Sequence, residues 1–443
     1  MTPPADTLRW TSIEELFDGI FECRPAQSIL AAMRPVERER PEVRAFVTRW
    51  LRLMARARIP PRHIAPPVAW ALGSVIPHLL PGAWGNIVPP FTLRDRHVAI
   101  DEYLRRNPWT TLSTGTTMLE MGCGFPPQTV LDIAERFPDW QITGADARFE
   151  PFVLHDPQGN YACIDADGRI RYFHPHISNL AMFEALYRNP EGTFQRFRDL
   201  FARLAPRLPS PDDGSTVSVE HDGARLTRHP IRALERPALR FVQASIGDPM
   251  PRVDVIRIFN VLMYFDGDFR TRTERWALDT LHPAGLFLCG ADFDLSMESR
   301  YSVYQRNGER LVPREFAFSI DNVRPSSVMP WFSLHDDERD TSLLARLIGI
   351  LRSDETFQRD FDAECDDLLA AHRLWIRQDD GALALPTSQR PPTEWVEARL
   401  AITEQLAADG YIDRAVTLLQ RAGVKAWKNV VGHVAVDPMT LAT

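Results

Sequence analysis

The stretch Thr117-Met118-Leu119-Glu120-Met121-Gly122-Cys123-Gly124-Phe125-Pro126-Pro127 leaves the backbone few choices. An apolar run of strand length ends in two glycines one residue apart, and prolines follow where a helix would begin. Glycine admits a turn too tight for a side chain, and proline suits the first helical position, where no N–H is needed. A strand, a tight turn and a helix in that order leave a crevice at the carboxyl end of the strand, walled by backbone. In this reading Glu120 faces the crevice rather than the core.

Downstream the chain repeats the theme. Short apolar strands at 141–145, 239–244, 254–260 and 286–290 alternate with helices at 126–137 and 270–281, the signature of an α/β layer with a parallel sheet. A His282-Pro283-Ala284-Gly285 turn closes the second helix. Between the second and third strands lie more than ninety residues, where a crossover needs only a few dozen. This excess contains a hairpin, 161–164 with 170–173 around Asp165-Ala166-Asp167-Gly168, and a helix over 178–204. An insertion there lies beside the carboxyl ends of the strands, where open α/β sheets bind ligands, and so is a candidate substrate cap.

Both ends of the chain read as helical. Val43, Phe46, Val47, Trp50, Leu51 and Met54 recur at three- and four-residue intervals, one apolar stripe over 41–57 that Pro60 and Pro61 end. A further helix spans 95–106. A second antiparallel hairpin, 301–305 with 314–319, flanks Asn307-Gly308. Helices follow at 341–351, 355–374, 393–408 and 411–421, the last two forming a pair like one tetratricopeptide unit. The expected division is a helical region over 1–112, an α/β domain over 113–320 with its insertion at about 150–236, and a helical region over 321–443.

Of 443 residues, 44% are hydrophobic and 25% charged, ordinary globular usage. The formal charge of −8 argues against nucleic acid or an anionic membrane as partner. Five widely spaced cysteines without a C-x-x-C pair exclude a disulfide framework or zinc ribbon and suit a reducing, cytoplasmic setting. The opening residues do not read as a signal peptide. Ile64 to Leu80 is the most membrane-like stretch, but Pro66, Pro67 and Pro77 interrupt it, which suggests irregular buried structure or a lid.

The glycine turn also limits its ligand. A dinucleotide site wants glycine where Pro127 stands, because there the helix start must touch a pyrophosphate. Proline removes a phosphate-binding N–H, and Glu120 would repel the anion. The ligand should therefore have a cationic, phosphate-free end. Asp146, at the end of the second strand, can accept both hydroxyls of a ribose, although by itself it would serve equally as a helix cap.

These features resemble the class I S-adenosylmethionine-dependent methyltransferases, over roughly 117–294 with the insertion and both ends unmatched. The resemblance implies a Rossmann-like α/β fold, a mostly parallel seven-stranded sheet with an α+β insertion after strand 2. It implies S-adenosylmethionine as cofactor and S-adenosylhomocysteine as product. Gly122, Cys123 and Gly124 would pass under the methionine portion, Glu120 would help hold its amino group, and Asp146 would bind the ribose. Ser245 and Ile246 would border the adenine, with Ser245 standing where the family often has an acid. Asn260 and Val261 would lie beneath the sulfur. The run Asn260-Val261-Leu262-Met263-Tyr264-Phe265, with Pro283-Ala284-Gly285-Leu286-Phe287-Leu288 after a helix, is similar to chemotaxis-receptor glutamate methyltransferases in this half only.

The expected function is methyl transfer to an oxygen or nitrogen of a small molecule or peptide. A carboxylate acceptor is favoured because no single base stands out. Tyr264, His174 and Asp292 are the catalytic candidates, with Tyr264 equally suited to be a pocket wall; His176, His335 and Asp294 have weaker positions. Cys123 and Cys289 read as small buried apolar residues, and no metal site is expected. A homodimer is compatible with this reading. The alternative is a non-catalytic S-adenosylmethionine-binding adapter whose helical ends bind protein.

Overall fold

The computed structural model describes residues 10–34, 36, 41–64, 68–69, 72, 94–174, 190–209, 215–293, 297–325, 328–336, 338–384 and 392–441. Three helices open the chain: α1 (Ile13–Phe21), α2 (Gln27–Met33) and α3 (Pro41–Arg56). Ser12 caps α1 by accepting from the Glu15 N–H. All six stripe residues of α3 are buried, as the 3.6-residue period requires. Most of Ile64 to Leu80 lies outside the described residues.

Helix α4 (Val98–Arg106) leads into the sheet, where β1 (Thr117–Met121), α5 (Gln128–Arg136) and β2 (Gln141–Asp146) form the expected strand-turn-helix-strand. The insertion supplies β3 (Phe152–His155), β4 (Tyr161–Ile164), β5 (Ile170–His174), α6 (Pro190–Leu204), β6 (Val217–His221) and β7 (Ala224–Arg228). The first part of the expected 178–204 helix lies outside the described residues. The sheet resumes with β8 (Leu239–Gln243), β9 (Val253–Phe259), α7 (Gly267–Thr280), β10 (Leu281–Phe293), β11 (Met297–Asn307) and β12 (Arg310–Phe318). Then come α8 (Arg339–Leu351), α9 (Glu355–Ala371), the short pair β13 (Ile376–Arg377) and β14 (Leu383–Ala384), α10 (Pro392–Ala408), α11 (Tyr411–Arg421), β15 (Ala426–Lys428) and β16 (Val434–Val436).

The main sheet runs β15-β16-β12-β11-β10-β9-β1-β2-β8. Neighbours from β8 to β10 pair in parallel, and those from β10 to β15 pair antiparallel. The sheet of the described residues thus has nine mixed strands, which corrects the expected seven. The parallel half keeps the order 3-2-1-4-5 in its own strands, so a switch point falls between β1 and β9. The antiparallel half begins where β11 pairs antiparallel with β10. Two strands from the end of the chain then cover the edge of β12, so the C-terminal region is not wholly helical. An uncovered strand edge is a template for association, and this pairing moves the edge from the nine-residue β12 to the three-residue β15.

The insertion is a second, antiparallel sheet ordered β5-β4-β3-β7-β6. Its hairpin was legible, whereas β3, β6 and β7 were not. Helix α6 packs on one face, burying Phe197 and Leu204 against Phe173 and Leu226. The other face turns toward the glycine turn, where the Tyr161 hydroxyl donates to the Phe125 carbonyl at 3.3 Å. The two helical ends share one core, in which Phe17, Trp50 and Met54 join Leu344, Ile348, Phe361 and Leu419.

Candidate active site

Gly122 and Gly124 both take positive φ, 76° and 63°. A Cβ on Gly122 would lie 2.5 Å from Val261 Cγ2, so this position excludes any side chain twice over, by dihedral and by contact. The turn is pinned to the end of β2. The N–H groups of Gly122 and Cys123 donate to the Ala145 carbonyl at 2.7 and 3.2 Å. Gly124 N–H donates to Asp146 Oδ2 at 2.9 Å, and Arg148 N–H to Asp146 Oδ1 at 3.1 Å. Each carboxylate oxygen keeps acceptor capacity beyond these bonds. Burial raises the Asp146 pKa, and hydrogen bonds from the backbone N–H groups of Gly124, Arg148 and Ala147 work against that rise.

Asp146 and Gly124 form one wall of a cavity, and the inserted sheet forms the other. Between them the room for the centres of water-sized molecules is about 40 Å³, within about 440 Å³ of unfilled space that includes open solvent. Glu150, Cys163 and Tyr172 reach it from the insertion, and Phe149 from the loop after β2. Ser245, Ile246, Asn260 and Val261 are not among its described walls. Ser245 and Ile246 follow β8, where Asp248 Oδ2 accepts from the Ser245 N–H at 2.7 Å and Ile246 packs, half-buried, into an apolar cluster.

Glu120 points elsewhere than expected. It sits in register with Arg257 on β9, so the two side chains share a face of the sheet. Glu120 Oε2 accepts from Arg257 Nε at 3.1 Å and from its Nη2, while Oε1 accepts from the Thr129 hydroxyl. Arg257 also bonds Asp101 of α4, whose other oxygen meets Arg136. Arg257 is wholly buried, and a guanidinium in that position requires carboxylate partners. Glu120 is therefore a buried counter-ion beneath the turn, not a group facing the crevice.

The ends of β9 and β10 carry a second polar group. Asn260 has a φ of 56°, a conformation asparagine tolerates better than most residues. Its amide donates to Asp292 Oδ1 and its carbonyl accepts from the Asp292 N–H, both at 3.0 Å. Asp292 is fully buried. Burial by itself would raise its pKa, but His97, Arg96 and Asn260 outweigh that and hold it at about 2. Arg96 Nε donates to Asp292 Oδ1 at 3.1 Å, and His97 Nε2 lies 3.1 Å from Oδ2. Both ring nitrogens of His97 are buried, and neither makes a hydrogen bond among the described residues, Nε2 standing only at ion-pair distance from Asp292.

The remaining candidates separate. Tyr264 packs edge-on against Phe332 at 5.1 Å, and burial pushes its phenol up to about 12, as befits a wall. His174 belongs to the outermost strand of the insertion, and His176 and Asp294 lie outside the described residues. His335 sits in a loop where its carbonyl accepts from the Ser333 hydroxyl. Cys123 and Cys289 are buried, and burial raises both thiols, which suits apolar packing rather than nucleophiles. Among the described residues no three His, Cys, Asp or Glu side chains could hold a metal ion, and no helix is long and apolar enough to cross a membrane.

Sequence reasoning missed Arg257, His97, Glu150 and Tyr172. Only Arg257 carried a signal, as a charge inside the apolar run Val255-Ile256-Arg257-Ile258-Phe259.

No protein-family model matches the chain, and no curated protein matches it in sequence. Solved structures similar to parts of it include PKMT2 from Rickettsia typhi in complex with AdoHcy, at 11% identity and a TM-score of 0.21, over 46% of this chain and 26% of that one. An S-adenosylmethionine-dependent methyltransferase from Clostridium acetobutylicum aligns at 10% identity and a TM-score of 0.21, over 51% and 72%. CalS10, an amino pentose methyltransferase from Micromonospora echinaspora, aligns at 13% and 0.19, over 51% and 65%. The chain spans about a quarter of the length of PKMT2. TM-scores this low carry no weight in assigning function.

Proposed function

We propose that the chain is an S-adenosylmethionine-dependent methyltransferase acting on an oxygen or nitrogen of a small molecule or peptide. The observation that carries this reading is the Asp146 carboxylate, bonded to the Gly124 N–H at the carboxyl end of the parallel strands and walling a cavity. Acceptor oxygens at that place suit a ribose diol, and the Asp146 carboxylate disfavours a phosphate, the Glu150 charge being paired with Arg148. The bare backbone at Gly122, which a Cβ would crowd, suits the approach of a ligand's narrow chain.

When bound, the cofactor would supply a methyl group on a sulfonium, already joined to a good leaving group. The chain would then contribute alignment and exclusion of water. Gly122, Cys123 and Gly124 would underlie the methionyl portion, Asp146 would hold the ribose hydroxyls, and Asn260 and Val261 would floor the reacting end. Glu120 would act only indirectly, by keeping Arg257 and the strand beneath the turn in place. Ionised Asp292 would orient His97, whose buried Nδ1 would take a proton from an incoming hydroxyl or ammonium only where substrate binding uncovers it. This base brings such acceptors level with a carboxylate, which needs none.

Calorimetric titration with S-adenosylmethionine, S-adenosylhomocysteine and NAD tests the reading. Micromolar binding of the first two and none of the third is expected. Transfer of labelled methyl to a metabolite and peptide extract would then identify the acceptor. Absence of binding to either sulfur compound would remove the proposal.

A further inference from the structure

We infer that the inserted sheet closes over the nucleoside end of the cofactor and is not a substrate cap. Glu150 and Tyr172 would be its binding residues. This rests on the methyltransferase reading and extends it to residues outside the α/β core.

The walls of the cavity come from two parts of the chain. On one side stand Gly124 and Asp146; on the other stand Glu150, Val153, Cys163 and Tyr172, from the insertion and the loop that enters it. The antiparallel pairing of β3, β4 and β5 places Val153 opposite Cys163 and Cys163 opposite Tyr172. These three side chains therefore form one row across one face of the small sheet. Phe197 and Leu204 of α6 occupy the opposite face. The row is thus fixed by register and backed by a helix, so the wall is built rather than draped.

The chemistry of the walls selects a ligand. Glu150 is a buried carboxylate whose ion-pair partner, Arg148, is nearly half exposed and so leaves room for a further hydrogen bond. Burial, together with the nearby Asp146 and Glu150 charges, raises the Tyr172 phenol, which therefore stays a neutral donor at physiological pH. Both carboxylates accept from hydroxyls, and Asp146, which forms no ion pair among the described residues, repels phosphate, while Arg148, also lining the cavity, neutralises Glu150. Phe149, Val153, Cys163 and the Tyr172 ring offer apolar surface to a flat heterocycle. A phosphate-free nucleoside satisfies both halves of the cavity. The Tyr161 hydroxyl, donating to the Phe125 carbonyl, ties the insertion to the glycine turn on which the rest of the cofactor would lie.

Calorimetry on the full chain tests this without any methyl acceptor, using S-adenosylhomocysteine, adenosine and 2′-deoxyadenosine as probes. Wild-type protein should bind the first two and bind the deoxynucleoside at least about 10-fold more weakly. Tyr172→Ala should weaken S-adenosylhomocysteine about 10-fold or more, and Glu150→Gln about 5-fold, in the range for losing one aromatic or hydrogen-bonding contact. Tyr172→Phe, which keeps the ring, should recover most of the loss and guards against a folding defect in the alanine variant. If the wild type and all three variants bind equally while Asp146→Ala does not, the insertion does not touch the nucleoside and the inference fails alone. If the wild type binds none of the probes, the parent reading falls and this one with it.

Discussion

Gly122 and Val261 meet across the turn with no room to spare: a Cβ on the glycine would stand 2.5 Å from the valine Cγ2. The contact joins the end of β1 to the segment that follows β9, the two strands on either side of the switch point. Gly122→Ala should therefore weaken S-adenosylhomocysteine binding at least about 10-fold and destabilise the fold by about 1–3 kcal/mol, through strain at φ 76° and overpacking. Adding Val261→Ala should restore part of both, which calorimetry and denaturant melts of the double variant would show. If the second substitution restores nothing, the contact is not the cause.

Arg257 and Glu120 make the opposite kind of prediction. Removing one partner of a buried pair leaves an uncompensated charge, so Arg257→Met should cost about 3–5 kcal/mol. The double variant Arg257→Met with Glu120→Gln should be more stable than Arg257→Met. Urea unfolding decides this. A Glu120→Gln variant that keeps its stability yet loses cofactor affinity would show the carboxylate to be a ligand after all.

His97→Gln should leave S-adenosylhomocysteine affinity unchanged and lower the rate of methyl transfer by about 10²–10⁴-fold, the usual contribution of a positioned base. Single-turnover transfer of labelled methyl, set beside calorimetry, separates the two quantities. An unchanged rate would mean an acceptor that arrives already ionised, and would favour a carboxylate.

Stability should fall as pH rises from about 4.5 through 7, because of Glu315 on β12. Burial holds its carboxyl up at about 7, with the Asn429 hydrogen bond opposing that rise. A group whose folded pKa is raised binds its proton more tightly when folded. Its contribution is thus complete below the unfolded value and lost as pH passes the folded one. The shift corresponds to a loss on the order of 3 kcal/mol. Thermal melts across this range should show the decline, and Glu315→Gln should flatten it. Parallel slopes for the two proteins would refute the assignment.

Much of this site was legible before any fold was known, because its chemistry is local. Gly122 and Gly124 announce their dihedrals by lacking side chains, and Asp146 follows a strand that its own apolar run defines. The parallel strands were read within a few residues for the same reason, since burial on both faces demands near-continuous apolar sequence. By contrast, the orientation of Glu120 depends on Arg257, 137 residues away, reaching the same face in register. The nine-stranded edge depends on residues 426–436 returning to pair with β12, and nothing within so short a segment names its partner. His97 meets Asp292, and Tyr172 meets the cavity of Asp146, only because separate elements dock. Local sequence determined the glycine turn, the parallel strands and the residue types at their ends. Which charges neutralise one another, and which surfaces enclose the cavity, followed from contacts between distant segments, whose energies exist only once those segments are packed together.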